Sequence, residues 1–253
     1  MSLEINAKDN QIAYIENAQG RREGTLSYSE STDGESSTEL EDGYRFQLIP
    51  RPTKTSQRNT LFVAGEAGAG KSYFVREYAK QYKKKFPKNR IFLISYLDED
   101  ETLDAYKEII RLNAFQSEFL DECLNEKFVR TEFFDSLVIF DDLDSIVNKT
   151  TKSQIFGLIN IMLRLGRHYG TSVAYVGHEL YASPELKCIL NESQTITFFP
   201  KFLSFKKLRY LLEVYFGLSK AQIERIRTIR DRSVTYIKGS DKIILSDTQC
   251  FIL

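Results

Sequence analysis

Gly65-Glu66-Ala67-Gly68-Ala69-Gly70-Lys71-Ser72 follows the apolar run Thr60-Leu61-Phe62-Val63-Ala64 and leads into an amphipathic stretch beginning at Tyr73. A glycine, four residues, then glycine, lysine and a hydroxyl, set between a buried strand and a helix, is the arrangement that cradles phosphates. Gly65, Gly68 and Gly70 carry no Cβ, so the backbone can wrap an anion and aim its N–H groups inward. The positive end of the following helix faces the same anion. In this reading Lys71 reaches the β and γ phosphates of a nucleoside triphosphate and the Ser72 hydroxyl ligates Mg²⁺. Residues 65 to 73, Gly65 through Tyr73, form the cofactor-binding segment.

Beyond this loop, short apolar runs alternate with helical stretches, the pattern of a parallel sheet wound with crossover helices. Strands are predicted near 60–64, 90–95, 136–141, 171–177 and 194–199. Helices are predicted at about 71–84, 101–110, 116–124, 152–167 and 184–191. The fold class is therefore α/β, a P-loop nucleoside triphosphatase with a mostly parallel sheet sandwiched by helices. Residues 201–253 read as a carboxy-terminal appendage of the same domain: helices near 204–216 and 219–229, then a hairpin of 234–238 and 242–246. Residues 1–57 read as a polar extension with weak strands at 11–16 and 25–29 and a mobile acidic loop from Glu30 to Asp42. Tyr44 to Ile49, stopped by Pro50 and Pro52, is an edge strand leading into the core at 58–200.

Leu137-Val138-Ile139-Phe140-Asp141-Asp142 is a fully apolar strand ending in two carboxylates. Burying such an end is costly unless a cation or a reacting water uses the acids. Asp141 is the candidate for the Mg²⁺ shell and Asp142 for polarising the attacking water. Asp144 is an alternative that better suits a cap or solvent. The next core strand ends in Gly177-His178, where His178 can sense the γ-phosphate or orient water. His168 is the weaker of the two histidines.

Composition narrows the partners. Lysine plus arginine and aspartate plus glutamate number 35 each, so no global positive field points to nucleic acid. Local stripes do exist: Lys201 to Arg232 holds nine basic residues against three acidic ones, and Lys83 to Arg90 adds five. These suit a phosphate backbone or merely solvated helix faces. Tyr210, Tyr215 and Phe216 have the spacing of core residues rather than stacking platforms. Cys123, Cys188 and Cys250 are too scattered for a disulfide framework or metal cluster, which fits a reduced intracellular, cytoplasmic setting. No stretch has the length of a membrane span.

The residues 65–72, the run SLVIFDDLDSI at 136–146 and the run LRLGRHYGTSVAYVGHELYASPELKCILNES at 163–193 resemble the genome-packaging ATPases of large nucleocytoplasmic DNA viruses and related ATPases of the FtsK/HerA group. The resemblance covers residues 60–200. It implies an ATPase of the RecA-like ASCE class that forms a homo-oligomer, with double-stranded DNA and virion or capsid proteins as partners, in the host cytoplasm or the virion. It matches an Arg-His pair to Arg167 and His168, the strand-tip sensor to His178, and a helix asparagine to Asn191. It further implies an arginine finger supplied to the neighbouring subunit, for which Arg164 and Arg167 are candidates, although a helix carboxy terminus attracts arginine in any case. The sensor in this group is often glutamine. The segment from Leu97 to Asp104 is similar to one in uncharacterised viral ATPases, so a paralogue of the motor is also implied. Two other functions stay open: a nucleotide-dependent interaction or structural module with slow turnover, and a small P-loop kinase.

Overall fold

A computed structural model describes residues 2–8, 10–29, 36–50, 58–180, 183–239 and 242–253. The chain divides into two compact units, one of residues 1–49 with 194–253 and one of residues 50–193.

The amino-terminal part of the first unit holds five strands: β1 (Ser2–Ile5), β2 (Gln11–Asn17), β3 (Arg22–Ser29), β4 (Ser37–Glu39) and β5 (Tyr44–Leu48). Four of them form an antiparallel sheet in the order β1-β3-β2-β5, which puts β5 on an edge as expected. Ala13, Ile15, Leu26, Phe46 and Leu48, which the register sets beside one another on β2, β3 and β5, are buried. Strand β1 was not expected; two of its four residues are exposed, so it lacks an apolar signature. Of the acidic stretch read as a loop, residues 30–35 lie outside the described residues, as does Pro52. Its continuation is strand β4, which pairs with the chain's last strand through Thr38 and Cys250.

The second unit carries the parallel sheet. Its strands are β6 (Thr60–Ala64), β7 (Arg90–Ser95), β8 (Ile109–Arg111), β9 (Ser136–Asp141) and β10 (Ser172–Gly177). They lie in the order β6-β10-β9-β7-β8, all parallel. Every residue of β6, β9 and β10 is buried, which is why these strands read as unbroken apolar runs. The registers Gly177↔Ala64 and Ser95↔Asp141 bring the carboxyl ends of the strands to one edge. Ligands bind along that edge in open α/β sheets.

The helices of this unit are α1 (Lys71–Lys85), α2 (Glu101–Asp104), α3 (Ser117–Glu122), α4 (Glu126–Glu132), α5 (Lys149–Leu165) and α6 (Pro184–Glu192). The helix predicted over 101–110 is a single turn: Arg111 grips both oxygens of Asp104 at 2.8 and 3.0 Å and the chain after it becomes β8. The helix predicted over 116–124 is α3, and the separate helix α4 beyond it was not expected; Asn125 starts it, its side chain accepting the Lys127 and Phe128 amides. Asn148 opens α5 in the same way, so this helix starts at Lys149, three residues before the predicted start.

The rest of the first unit comprises β11 (Thr195–Phe198), α7 (Phe205–Tyr210), α8 (Lys220–Thr228), β12 (Val234–Ile237), β13 (Ile243–Ser246) and β14 (Gln249–Ile252). The expected hairpin is β12 with β13, and β11 pairs antiparallel with β12, so this end of the chain departs from the parallel pattern. Strand β14, which was not expected, lies between β13 and β4. Helix α7 runs into a π-helical turn at Leu211–Tyr215. Phe216 is buried and stacks on Tyr236 with ring centroids 4.0 Å apart, whereas Tyr210 is exposed and is not the core residue its spacing suggested.

Candidate functional site

The loop from Gly65 to Gly70 joins β6 to α1. Gly68 and Gly70 have φ of 75° and 105°, the left-handed region where a side chain is strained. The Gly65 amide donates to the Gly177 carbonyl at 3.2 Å, which ties the loop to the tip of β10. Helix α1 then begins at Lys71 with no side-chain cap on its first amides. Those amides, with the loop they follow, are the donors a phosphate requires.

Lys71 is buried. Its ammonium donates to the Gly65 carbonyl at 2.8 Å and the Glu66 carbonyl at 3.1 Å, and lies 3.3 Å from Nδ1 of His178. Burial pulls its pKa below the usual lysine value, against the opposing pull of Asp141, Asp142 and Asp144. The charge is thus parked on carbonyls that a phosphate can replace.

Asp141 ends β9 in a buried position, and its Oδ2 has no hydrogen-bond partner. Burial raises its pKa to about 7; Asp142 and Asp100 push in the same direction and Lys71 opposes. A buried carboxylate oxygen left unpaired, beside two further acids, is a costly arrangement that a divalent cation relieves. Asp141 therefore fits Mg²⁺, and Ser72, one residue beyond Lys71 on α1, supplies a hydroxyl of the required kind.

Asp142 adopts φ of 53°, a left-handed conformation that aspartate tolerates better than most residues. Its Oδ1 lies 2.9 Å from Nε2 of His178. Since the lysine can only donate to Nδ1, the tautomer that satisfies both contacts carries its proton on Nε2 and donates to Asp142. Asp144, weighed from the sequence as cap or solvent-facing, accepts from the His178 amide at 3.2 Å and from the Tyr175 hydroxyl at 3.3 Å. The structure thus brings together Lys71, Asp141, Asp142, Asp144 and His178.

Other predicted residues lie elsewhere or at the margin. Tyr73 is half exposed with the Arg76 guanidinium 4.9 Å from its ring centroid. Arg164 and Arg167 are exposed at the carboxy terminus of α5 and the turn after it, hence before β10 rather than at its tip. A strand the length of β10 spans roughly 17 Å, so neither arginine serves the site of its own chain. His168 and Asn191 are likewise exposed. Asp100 was not anticipated as part of the site. It caps α2 through the Thr102 and Leu103 amides and raises Asp141 electrostatically. A carboxylate just past the end of a buried strand was the available signal, but only the strand order places β7 beside β9.

No family model matches the chain. The uncharacterized protein V3 of Sputnik virophage is 31% identical over 241 residues, 94% of this chain and 93% of that protein. Among solved structures, B204, the DNA-packaging ATPase of Sulfolobus turreted icosahedral virus, is similar with a TM-score of 0.51 and 16% identity over 76% of this chain and 98% of B204. The cytoplasmic domain of the type VII secretion ATPase EccC of Thermomonospora curvata gives 0.51 and 11% over 95% of this chain and 29% of that one. At such identities the likeness is one of fold, and the α/β ATPase fold expected from the motifs is the fold observed. Among the described residues no helix is long and apolar enough to cross a membrane.

Proposed function

The chain belongs to the family of the virophage protein V3, and for this member we propose Mg²⁺-dependent hydrolysis of ATP, coupled to translocation or packaging of double-stranded DNA. The observation that carries the ATPase reading is the interaction of Lys71, held on loop carbonyls, with Asp141, whose buried Oδ2 lacks a partner.

In this reading the loop amides from Gly65 to Ser72 hold the phosphates, and Lys71 exchanges its two carbonyl partners for phosphate oxygens. Asp141 and Ser72 would hold Mg²⁺, which neutralises developing charge on the phosphates when bound. Asp142 accepts a proton from, or orients, the attacking water, and His178 steers that acid through Nε2. Arg167, displaced from its own site, is available to a neighbouring subunit, where an arginine can be worth about 10³ to 10⁵ in rate.

Coupling to DNA draws support from the sequence resemblance, from the nature of the similar fold in B204, a DNA-packaging ATPase, and from the basic stripe on the last helices. Part of that stripe is already engaged: Arg209 pairs with Glu213 and Arg227 with Glu224, while Arg225 lies over the Phe251 ring. Lys206, Lys207 and Lys220 on α7 and α8 carry the remaining charge. ATP turnover measured with and without duplex DNA tests the coupling. A rise that weakens with salt supports it; turnover indifferent to DNA at every salt concentration leaves ATP hydrolysis without a DNA partner.

A further inference from the structure

We propose that Asp144 and Tyr175 form a positioning brace for the His178 imidazole, acting through the His178 backbone without touching nucleotide; the proposal rests on the ATPase reading of this site.

The brace starts from the turn after β9. Leu143–Ser145 is a single 3-10 turn, so Asp144 is tied rigidly to Asp142 two residues before it. Asp142 faces the His178 ring and Asp144 faces its backbone: Oδ1 of Asp142 is 2.9 Å from Nε2, and Oδ2 of Asp144 is 3.2 Å from the amide nitrogen. One short turn thus holds the same histidine at both ends. Lys71 adds a third point at Nδ1, 3.3 Å away. Three fixed points define both the position and the rotation of an imidazole.

Tyr175 immobilises Asp144. Its ring is fully buried and packed by Phe62 and Phe156, with centroids 5.7 and 6.2 Å away, and its hydroxyl donates to the other carboxylate oxygen of Asp144 at 3.3 Å. A buried phenol needs such a partner. Burial and the neighbouring acids push its pKa upward, so it stays a donor. Gly177 shows how close the packing is: a Cβ there would lie 3.0 Å from the Tyr175 ring and 3.6 Å from Oδ2 of Asp144. Glycine at the strand tip lets the backbone approach the brace.

Capping of the strand end by Asp144 would explain its hydrogen bonds equally well if nothing downstream depended on it. The two roles separate in measurements that follow His178 itself. The chain has two histidines, so ¹⁵N spectra of labelled full-length protein resolve both imidazoles. In nucleotide-free wild type, His178 is expected as the Nε2–H tautomer; Asp144→Ala should move it toward the averaged pattern of a mobile ring, and Asp144→Asn, which keeps an acceptor, should leave it in place. In turnover, Asp144→Ala should lower kcat by about 10- to 100-fold, the scale of a small misplacement of a working group. Nucleotide affinity should stay within about twofold, because the brace does not bind phosphate. Tyr175→Phe, which keeps the ring volume, should fall between, and Asp144→Asn should recover most of the rate. In a His178→Ala background, Asp144→Ala should cost nothing more, since a residue acting only through another is not additive with it.

An unchanged His178 spectrum in Asp144→Ala, or full additivity of the two alanine changes, overturns the brace. Absence of ATP turnover in wild type overturns the ATPase reading instead, and the spectra still judge the brace by themselves.

Discussion

Nε2 of His178 lies 2.9 Å from Oδ1 of Asp142, so the polar tip of β10 and the second acid of β9 are a hydrogen-bonded pair. The acid is only about one-fifth exposed, and the contact fixes which way its carboxylate points. Asp142→Asn keeps the shape of that pair and removes the charge. Single-turnover hydrolysis should drop by about 10² to 10³, within the range of a lost general base. Equilibrium binding of Mg²⁺–ATP should be retained. Turnover at the wild-type rate would assign the water-activating role elsewhere.

Asp141 links stability to pH. In the folded chain burial holds its proton to about pH 7, whereas the unfolded chain releases it near the usual 3.8. Below that lower value the contribution to stability is fully present. As pH rises, the unfolded chain ionises first, so stability falls up to about 7 and then levels off. With chelator present, chemical denaturation of wild type should therefore show a loss between pH 5 and pH 7 of about 2 kcal/mol relative to Asp141→Asn. Asp247, also raised by burial, titrates in the same sense and cancels in that comparison. Parallel pH curves for the two proteins would contradict the assignment.

Tyr78 and Asn59 secure α1 against the sheet. The Asn59 side-chain amide donates to the buried Tyr78 hydroxyl at 2.7 Å. Tyr78→Phe removes the acceptor and should destabilise by about 2 kcal/mol, roughly 5 °C in Tm for a chain of this size. Scanning calorimetry checks it. A variant as stable as wild type would mean the amide finds another partner at no cost.

Arg167 is expected to act between subunits. Arg167→Ala and Lys71→Ala proteins should each be nearly inactive, and mixing them should restore measurable turnover, because some interfaces would pair an intact loop with an intact arginine. Full activity of Arg167→Ala alone would remove it from the reaction.

How far the sequence could be read follows from how local each signal is. The phosphate loop, the acids at 141 and 142 and the histidine at 178 are strings of neighbouring residues whose chemistry is visible before folding, and the structure gathers them. Strands β6, β9 and β10 are buried on both faces and announce themselves as apolar runs. Strand β8 is three residues long, and Ile110 in it is half exposed, so it carries no period to detect. Strands β1 and β14 are only four residues long. The working partners of the site residues are tertiary: Asp100 meets Asp141 only because β7 lies beside β9, and Asp144 meets the His178 amide only because β10 lies on the other side. The Asp104–Arg111 pair joins residues seven apart, which on a continuous helix would stand about 10 Å from each other along the axis, so the contact forms only because the chain leaves the helix between them.

If the loop from Gly65 to Ser72, with Lys71, holds a triphosphate, isothermal titration of wild type and Lys71→Ala with a non-hydrolysable ATP analogue in Mg²⁺ should tell the two proteins apart. Saturable one-site binding by wild type, weakened by about 10² or more in Lys71→Ala as expected for a buried charge on phosphate, is the predicted result. Equal affinity of the two proteins, or no binding by wild type at millimolar nucleotide, would contradict it.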